Sequence, residues 1–420
     1  MRGRKFPAAL AAIAALAVVA VTACGSSGSN NSGAPGGEGG SSSSGTGLTK
    51  SEIVIGNVGV YSGTAFGAQY SQSLHGLQAW VQWTNDHGGI NGHPVKLVSK
   101  DDANNPATSL QAVKELVEQD HAVAILAPTA PGTDNAWAKY VEQKKVPVIG
   151  GIALEQVWLE NPYMLSVNNT PVGYLTGQFG AAKSIGSKLG VFTCAELAAC
   201  KSGIPLFPNI AKSVGLQYAG TQLVSATATD YTAQCLAIKN AGADVVVPEV
   251  DGPTIVRIIK ACNTQGYKPA IVVPSSDIDA DVLANPAFNG TLGVTVSPLW
   301  FGDSDLTKDW AQAYKALYPN EVLNGYSTLG WQAGVVFATA LKNAPDTVTS
   351  DTVLQALYAQ PANSTFGGWT PPITFVKDKP TQTGACLWYT KIQDGKLVAP
   401  DGNKFSCPQG SGGTSSSPTS

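Results

Sequence analysis

Three sets of residues carry the types and spacing that could do chemistry. Asp101-Asp102 is a carboxylate pair, Gly325-Tyr326-Ser327-Thr328-Leu329 begins like a nucleophile elbow, and seven cysteines with four histidines could ligate a metal. An elbow needs a second glycine to relieve its sharp turn, and Leu329 stands in that place. Ser327 opens a long helical pattern, where N-capping is its expected role. Asp101-Asp102 reads as a solvated strand end. No C-x-x-C or Cys/His cluster occurs and the histidines lack ligand spacing, so no metal is expected. The phosphate loop G-x-x-x-x-G-K-[ST] is absent, and Gly56, Gly59, Gly63 and Gly67 are spaced wrongly for G-x-G-x-x-G. No base, nucleophile and oxyanion site converge. A non-enzymatic protein without a cofactor is expected.

The cysteines fit an exported protein better. Arg2, Arg4 and Lys5 precede an apolar run from Ala8 to Ala23, the pattern of a secretory signal. Val21-Thr22-Ala23-Cys24 resembles the bacterial lipobox, which implies lipid on Cys24 and cleavage just before it. Residues 1–23 are thus read as a lipoprotein signal peptide and 24–48 as a Gly/Ser-rich tether with a reach of roughly 26 Å. Residues 408–420 read as a disordered tail. The expected location is outside the cytoplasm, anchored to the outer face of the cell membrane. Cys194, Cys200, Cys235, Cys262, Cys386 and Cys407 remain for disulfides. Locality favours Cys194–Cys200, Cys235–Cys262 and Cys386–Cys407 among the possible pairings.

Composition narrows the class of the body. Net charge is −3, which disfavours a nucleic-acid partner held by a basic surface. A hydrophobic share of 43% excludes a mostly disordered chain. Only the first apolar run approaches spanning length, so a multi-span transporter is excluded.

The elements that must position any site alternate. Strand-like runs at 52–60, 94–100, 122–127 and 146–149 are separated by helical patterns at 68–86, 107–118 and 134–143. Asn105-Pro106 supplies an N-cap followed by proline at the first helical position. The continuous apolar runs are those of parallel strands buried on both faces. The rhythm restarts at 172: helical patterns at 172–184, 206–214, 232–240 and 254–264 alternate with strands at 188–193, 222–224, 244–247 and 270–273. A strand at 294–297, helices at 306–318 and 327–343, and a hairpin turning at Asp394-Gly395 complete the body. Two doubly wound α/β lobes side by side are expected.

Ile55-Gly56, Tyr61-Ser62-Gly63, Gly88-Gly89-Ile90-Asn91-Gly92-His93-Pro94-Val95 and Asp101-Asp102-Ala103-Asn104-Asn105-Pro106-Ala107 occur in that order. Together they resemble the type I periplasmic binding proteins, in particular the leucine/isoleucine/valine-binding branch that feeds ABC importers. The resemblance implies two Rossmann-like lobes joined by three crossovers, with a small-molecule ligand in the cleft between them. By that analogy residues 49–168 and 300–366 form one lobe, and 169–299 and 367–407 the other. It also implies an ABC permease as partner of a monomer, a membrane contact through the lipid anchor alone, and no nucleic acid. Two other classes stay open: a sensor reporting ligand to a signalling partner, and a hydrolase on the same fold.

Open α/β sheets bind ligands beyond the carboxyl ends of their strands. The loops there offer Tyr61, Ser62 and Phe66; Thr129, Ala130 and Pro131; Ile152, Ala153 and Leu154; Glu196; Glu249 and Asp251; and Ser275. Trp300 lies at an expected crossover. The resemblance sharpens the ligand. Relatives that bind α-amino acids hold the carboxylate with hydroxyls at positions occupied here by Pro131 and Leu154, unless Thr129 or Thr133 serves instead. They meet the ammonium with an acidic residue where Ser275 stands. Phe66 roughly matches a tryptophan that covers the ligand side chain. An uncompensated buried charge is very costly. The expected ligand is therefore a neutral or singly cationic amphipathic solute, captured by hinge closure at 168–171, 296–300 and 366–369.

Overall fold

The computed structural model describes residues 48–407. The leader, Cys24, the tether before Leu48 and the tail after Cys407 lie outside the described residues.

The chain starts with β1 (Ile53–Gly59), α1 (Gly67–Asp86), β2 (Val95–Asp101), α2 (Pro106–Glu118), β3 (Ala124–Leu126), α3 (Asn135–Lys144), β4 (Val148–Ile149), α4 (Val157–Glu160) and β5 (Met164–Leu165). The five strands form one parallel sheet in the order β2-β1-β3-β4-β5. Strand order reverses between β1 and β3, the point where such sheets leave a crevice. Asn105 caps α2 by accepting hydrogen bonds from the backbone N–H groups of Ala107 and Thr108, at 2.9 and 3.1 Å.

The second half runs α5 (Pro171–Ile185), β6 (Lys188–Cys194), α6 (Ala198–Ser202), α7 (Phe207–Ser213), β7 (Gln217–Val224), α8 (Thr232–Asn240), β8 (Val245–Glu249), α9 (Gly252–Thr264), β9 (Ala270–Pro274), α10 (Ala280–Ala284) and β10 (Leu292–Thr295). Helices α11 (Lys308–Leu317), α12 (Leu329–Ala340) and α13 (Ser350–Tyr358) follow, and α11 and α12 pack on α1. Then come the small pair β11 (Ile373–Thr374) and β12 (Gln382–Thr383), followed by β13 (Leu387–Gln393), β14 (Lys396–Val398) and β15 (Phe405–Ser406). The second sheet is ordered β7-β6-β8-β9-β10-β13-β14, parallel as far as β10 and antiparallel from β13. Its strand order reverses between β6 and β8. The expected α/β fold of two doubly wound lobes is the one observed.

The chain passes between the lobes three times, and the last passage comes later than 366–369. Phe366, Trp369, Ile373 and Phe375 all pack into the first lobe's core with Trp80, Trp331 and Phe337. The chain rejoins the second sheet only at Leu387. These apolar side chains have no other core to enter, so the boundary read at 366 moves past Phe375. Close helix contact explains that core's tightness. A Cβ on Gly334 would lie 2.1 Å from the Trp80 ring, and one on Gly330 would lie 2.0 Å from the Ser73 carbonyl oxygen.

All six body cysteines pair as locality suggested: Cys194–Cys200, Cys235–Cys262 and Cys386–Cys407. The expected hairpin forms at Asp394-Gly395, both with positive φ. Ser327 does not cap α12. Its hydroxyl donates to the Asn324 carbonyl at 2.5 Å instead, and Thr328 occupies the cap position.

Candidate functional site

A cavity of about 210 Å³ opens between the lobes. It sits at the carboxyl ends of β4, β6, β8, β9 and β10, where the topology leaves backbone ends unpaired by further strands. Gly150 and Gly151 bring the loop after β4 to its rim. Both have positive φ, and a Cβ on Gly151 would lie 2.2 Å from the Pro128 carbonyl oxygen. The turn they make delivers Ile152, Ala153 and Leu154 to the cavity wall.

Aromatic side chains dominate one end. Phe66 and Tyr70 stack one helical turn apart, with ring centroids 5.5 Å apart, and Tyr326 meets Tyr70 edge-on at 5.2 Å. Tyr174 comes from the first turn of α5, which Thr170 caps by accepting from the Gly173 N–H at 3.1 Å. Glu249 and Asp277 face these rings from the ends of β8 and β9. Their negative charges, together with burial as the larger cause, raise the Tyr70 and Tyr174 hydroxyls well above the ordinary range. Burial, and then the Asp277 charge, does the same for Tyr326.

The two carboxyls differ. Burial pushes Glu249 up to about 7, opposed by a hydrogen bond that the Gln178 amide donates to it. Burial raises Asp277 well above its ordinary value, and the charges of Glu249, Asp251 and Asp279 add to the shift. Asp277 is 3% exposed and its Oδ1 has no partner. Asn169 is 1% exposed; its amide nitrogen donates to the Cys386 carbonyl at 2.8 Å, which fixes its Oδ1 as a second acceptor without a partner. Among the described residues, no Lys, Arg or His lines the cavity. The site therefore offers unmet acceptors and negative charge, and nothing cationic to hold an anion.

Of the candidate residues, Phe66, Ile152, Ala153, Leu154 and Glu249 line this cavity. The others lie elsewhere. The Tyr61 hydroxyl donates to Asn57, its N–H donates to Asp101, and Ser62 beside it is exposed. Thr129, Ala130 and Pro131 are buried, and the Thr129 backbone extends the ladder of β1. Glu196 accepts from the Ser225 hydroxyl and the Ala226 N–H, both at 2.7 Å, and so braces its own loop. Asp251 caps α9, accepting from the Thr254 N–H at 3.0 Å. The Ser275 hydroxyl is paired with that of Thr390 at 2.8 Å, while its neighbour Ser276 reaches the cavity. Trp300 packs edge-on to Phe301 in the first lobe's core, at 5.4 Å. Asp101 and Asp102 are spent on backbone and on the Thr133 hydroxyl.

Tyr70, Tyr174, Tyr326 and Asn169 were not among the candidates, and Asp277 entered only as the end of the loop that begins at Ser275. The first four stand just inside or just before a helix rather than directly after a strand. Asp277 lies only two positions beyond Ser275.

Such a cleft between two parallel-sheet lobes defines a solute-binding protein, and the comparisons agree. The chain belongs to the periplasmic binding protein family, whose model matches residues 52–396. Among curated proteins it is similar to the Leu/Ile/Val-binding protein homolog 7 of Brucella abortus (strain 2308), 24% identical over 376 residues, covering 84% of this chain and 92% of that one. Among solved structures it resembles a fatty acid ABC transporter substrate-binding protein from Thermomonospora curvata, with TM-score 0.70, 20% identity, and coverage of 86% and 94%. It also resembles a solute-binding protein of an ABC transporter from R. palustris in complex with benzoate, with TM-score 0.68, 16% identity, and coverage of 86% and 99%. The chain is thus a binding protein of that family.

Proposed function

We propose that the protein captures a neutral or singly cationic amphipathic solute outside the cytoplasm and delivers it to an ABC permease. In this reading it acts as a monomer held to the membrane by lipid on Cys24. Ligand contacts from both lobes stabilise the closed form, which the permease then recognises. The segments at 166–171, 296–300 and 376–386 absorb the rotation.

The observation that carries the reading is the cavity wall: aromatic and aliphatic side chains, a few hydroxyls and amides, two carboxyls and, among the described residues, no basic group. A zwitterionic amino acid would find no cationic partner for its carboxylate there, only hydroxyl and amide donors, beside two acidic side chains. The same holds for the fatty acid and the benzoate named for the structural neighbours. Isothermal titration with leucine, valine and benzoate is expected to give no measurable heat. Tight binding of leucine or valine would refute the reading.

A further inference from the structure

The cavity does not end at the aromatic cluster. It continues into the second lobe, between the start of α5 and the segment from Leu197 to Phe207, whose entrance the Cys194–Cys200 disulfide holds. Its inner wall is apolar: Leu175, Leu197, Ala199, Leu206 and Phe207. The side-chain hydroxyls beside it are already used. Thr193 donates to the Cys200 carbonyl at 3.2 Å and Ser202 to the Ala199 carbonyl at 3.0 Å. Ser202, on the same wall, is exposed.

The two ends thus ask for opposite chemistry. At one end Asp277 Oδ1 and Asn169 Oδ1 lack donors, and the rings of Tyr70, Tyr174 and Tyr326 surround the carboxyls. A protonated amine satisfies those acceptors, and aromatic faces attract it further. At the other end only hydrocarbon fits without loss. We propose that the ligand is a singly cationic amphiphile, an amine whose head sits among Tyr70, Tyr174, Tyr326, Glu249 and Asp277 and whose apolar tail threads beneath the Cys194–Cys200 loop. This rests on the solute-capture reading above and narrows its ligand class.

The test is calorimetric titration of the full chain at pH 7.5 with primary n-alkylamines from butyl to decyl, and with n-alkyl carboxylates of equal length. Each methylene buried is worth about 0.8 kcal/mol, roughly a fourfold gain in affinity. Affinity should rise by about that factor per carbon, then level off once the tail reaches solvent. Carboxylates should bind at least about tenfold more weakly, since they meet Asp277 and Glu249 with like charge. Ala199→Phe, or Leu206→Trp where that variant does not fold, should level the series two or more carbons earlier. Equal affinity along the amine series, or a plateau that neither variant moves, overturns the tail assignment alone. Carboxylates binding above amines, or no heat from any amine, overturns the head assignment. A tight leucine complex indifferent to both variants overturns the underlying reading instead.

Discussion

At the scale of single residues, Glu249 is the group whose environment departs most usefully from water. Its carboxyl releases a proton near 4.5 when free and near about 7 in the folded protein. Between those values the folded state holds the extra proton, so stability falls as pH rises through that window. The ligand-free protein should therefore melt at a lower temperature at pH 7.5 than at pH 5.5. Glu249→Gln should flatten that difference and raise the melting temperature at pH 7.5; differential scanning calorimetry at the two pH values decides it. Asp277, shifted in the same direction, remains in the variant and keeps part of the slope. A melting temperature of Glu249→Gln that tracks the unaltered protein at both pH values would count against burial as the cause. Glu249 and Phe66 were legible in the sequence because one ends a strand and the other lies in the loop that follows one. Tyr70 and Tyr174 were not, because their spacing within helices is that of ordinary core-facing residues. Only the approach of the lobes turns those faces into cavity wall. Pro131 and Leu154 show the converse. Leu154 reaches the cavity, while Pro131, matched to relatives by ungapped alignment, is buried away from it.

Elements were more legible than residues. The Asn105-Pro106 start of α2, the glycine-closed end of α1 and the Asp394-Gly395 turn each combine a capping or turn residue with an apolar period, and each forms as expected. The elements that escaped are those with little local signal. β5 has two residues and α4 four, too few to show any period. α13 relies on a capping box of Thr349 and Thr352, without the usual acidic partner. The α1–α12 pair also illustrates a property that no helix period reveals. Gly330 is where the two backbones approach and Gly334 makes room for the Trp80 ring, while α12 reads simply as a very apolar helix. Gly334→Ala should destabilise the protein by about 3 kcal/mol, the upper end of overpacking costs, because the Trp80 ring has no room to retreat. Gly180→Ala is the matched control. Its Cβ meets nothing within 4 Å, so it should be neutral or slightly stabilising in urea denaturation.

At the scale of the whole molecule, both lobes contribute to one apolar cluster. Phe66, Tyr70 and Leu329 from the first lobe share it with Phe192, Val250 and Ile278 from the second. Opening the cleft must expose part of that cluster to water, which opposes opening in the absence of ligand. Weakening the contact should shift the balance toward opening. Leu329→Ser is expected to increase the radius of gyration in small-angle X-ray scattering, and a saturating amine should return it toward the unaltered value. A radius unchanged by the substitution would show that the cluster does not hold the lobes together. Two lobes and three passages were legible through the family resemblance, since periodicity alone does not say which sheet a strand joins. The last passage was misplaced because Trp369, Ile373 and Phe375 form too short an apolar stretch to show which core receives them.

The interleaving of the lobes has a consequence for how the chain acquires its shape. The first sheet is complete in sequence by Leu165, yet α12, which covers α1 beside it, begins only at Leu329. Until that helix arrives, Trp80 and Leu77 lack the half of their surroundings that α12 supplies. Neither lobe can finish before most of the chain is available, and the contacts that finish the first span more than two hundred residues. Such long closures slow folding and leave a sticky, half-built sheet in the interim. The architecture that places a binding site between two discontinuous halves thus also makes the polypeptide fold late and as a unit, rather than lobe by lobe as it is made.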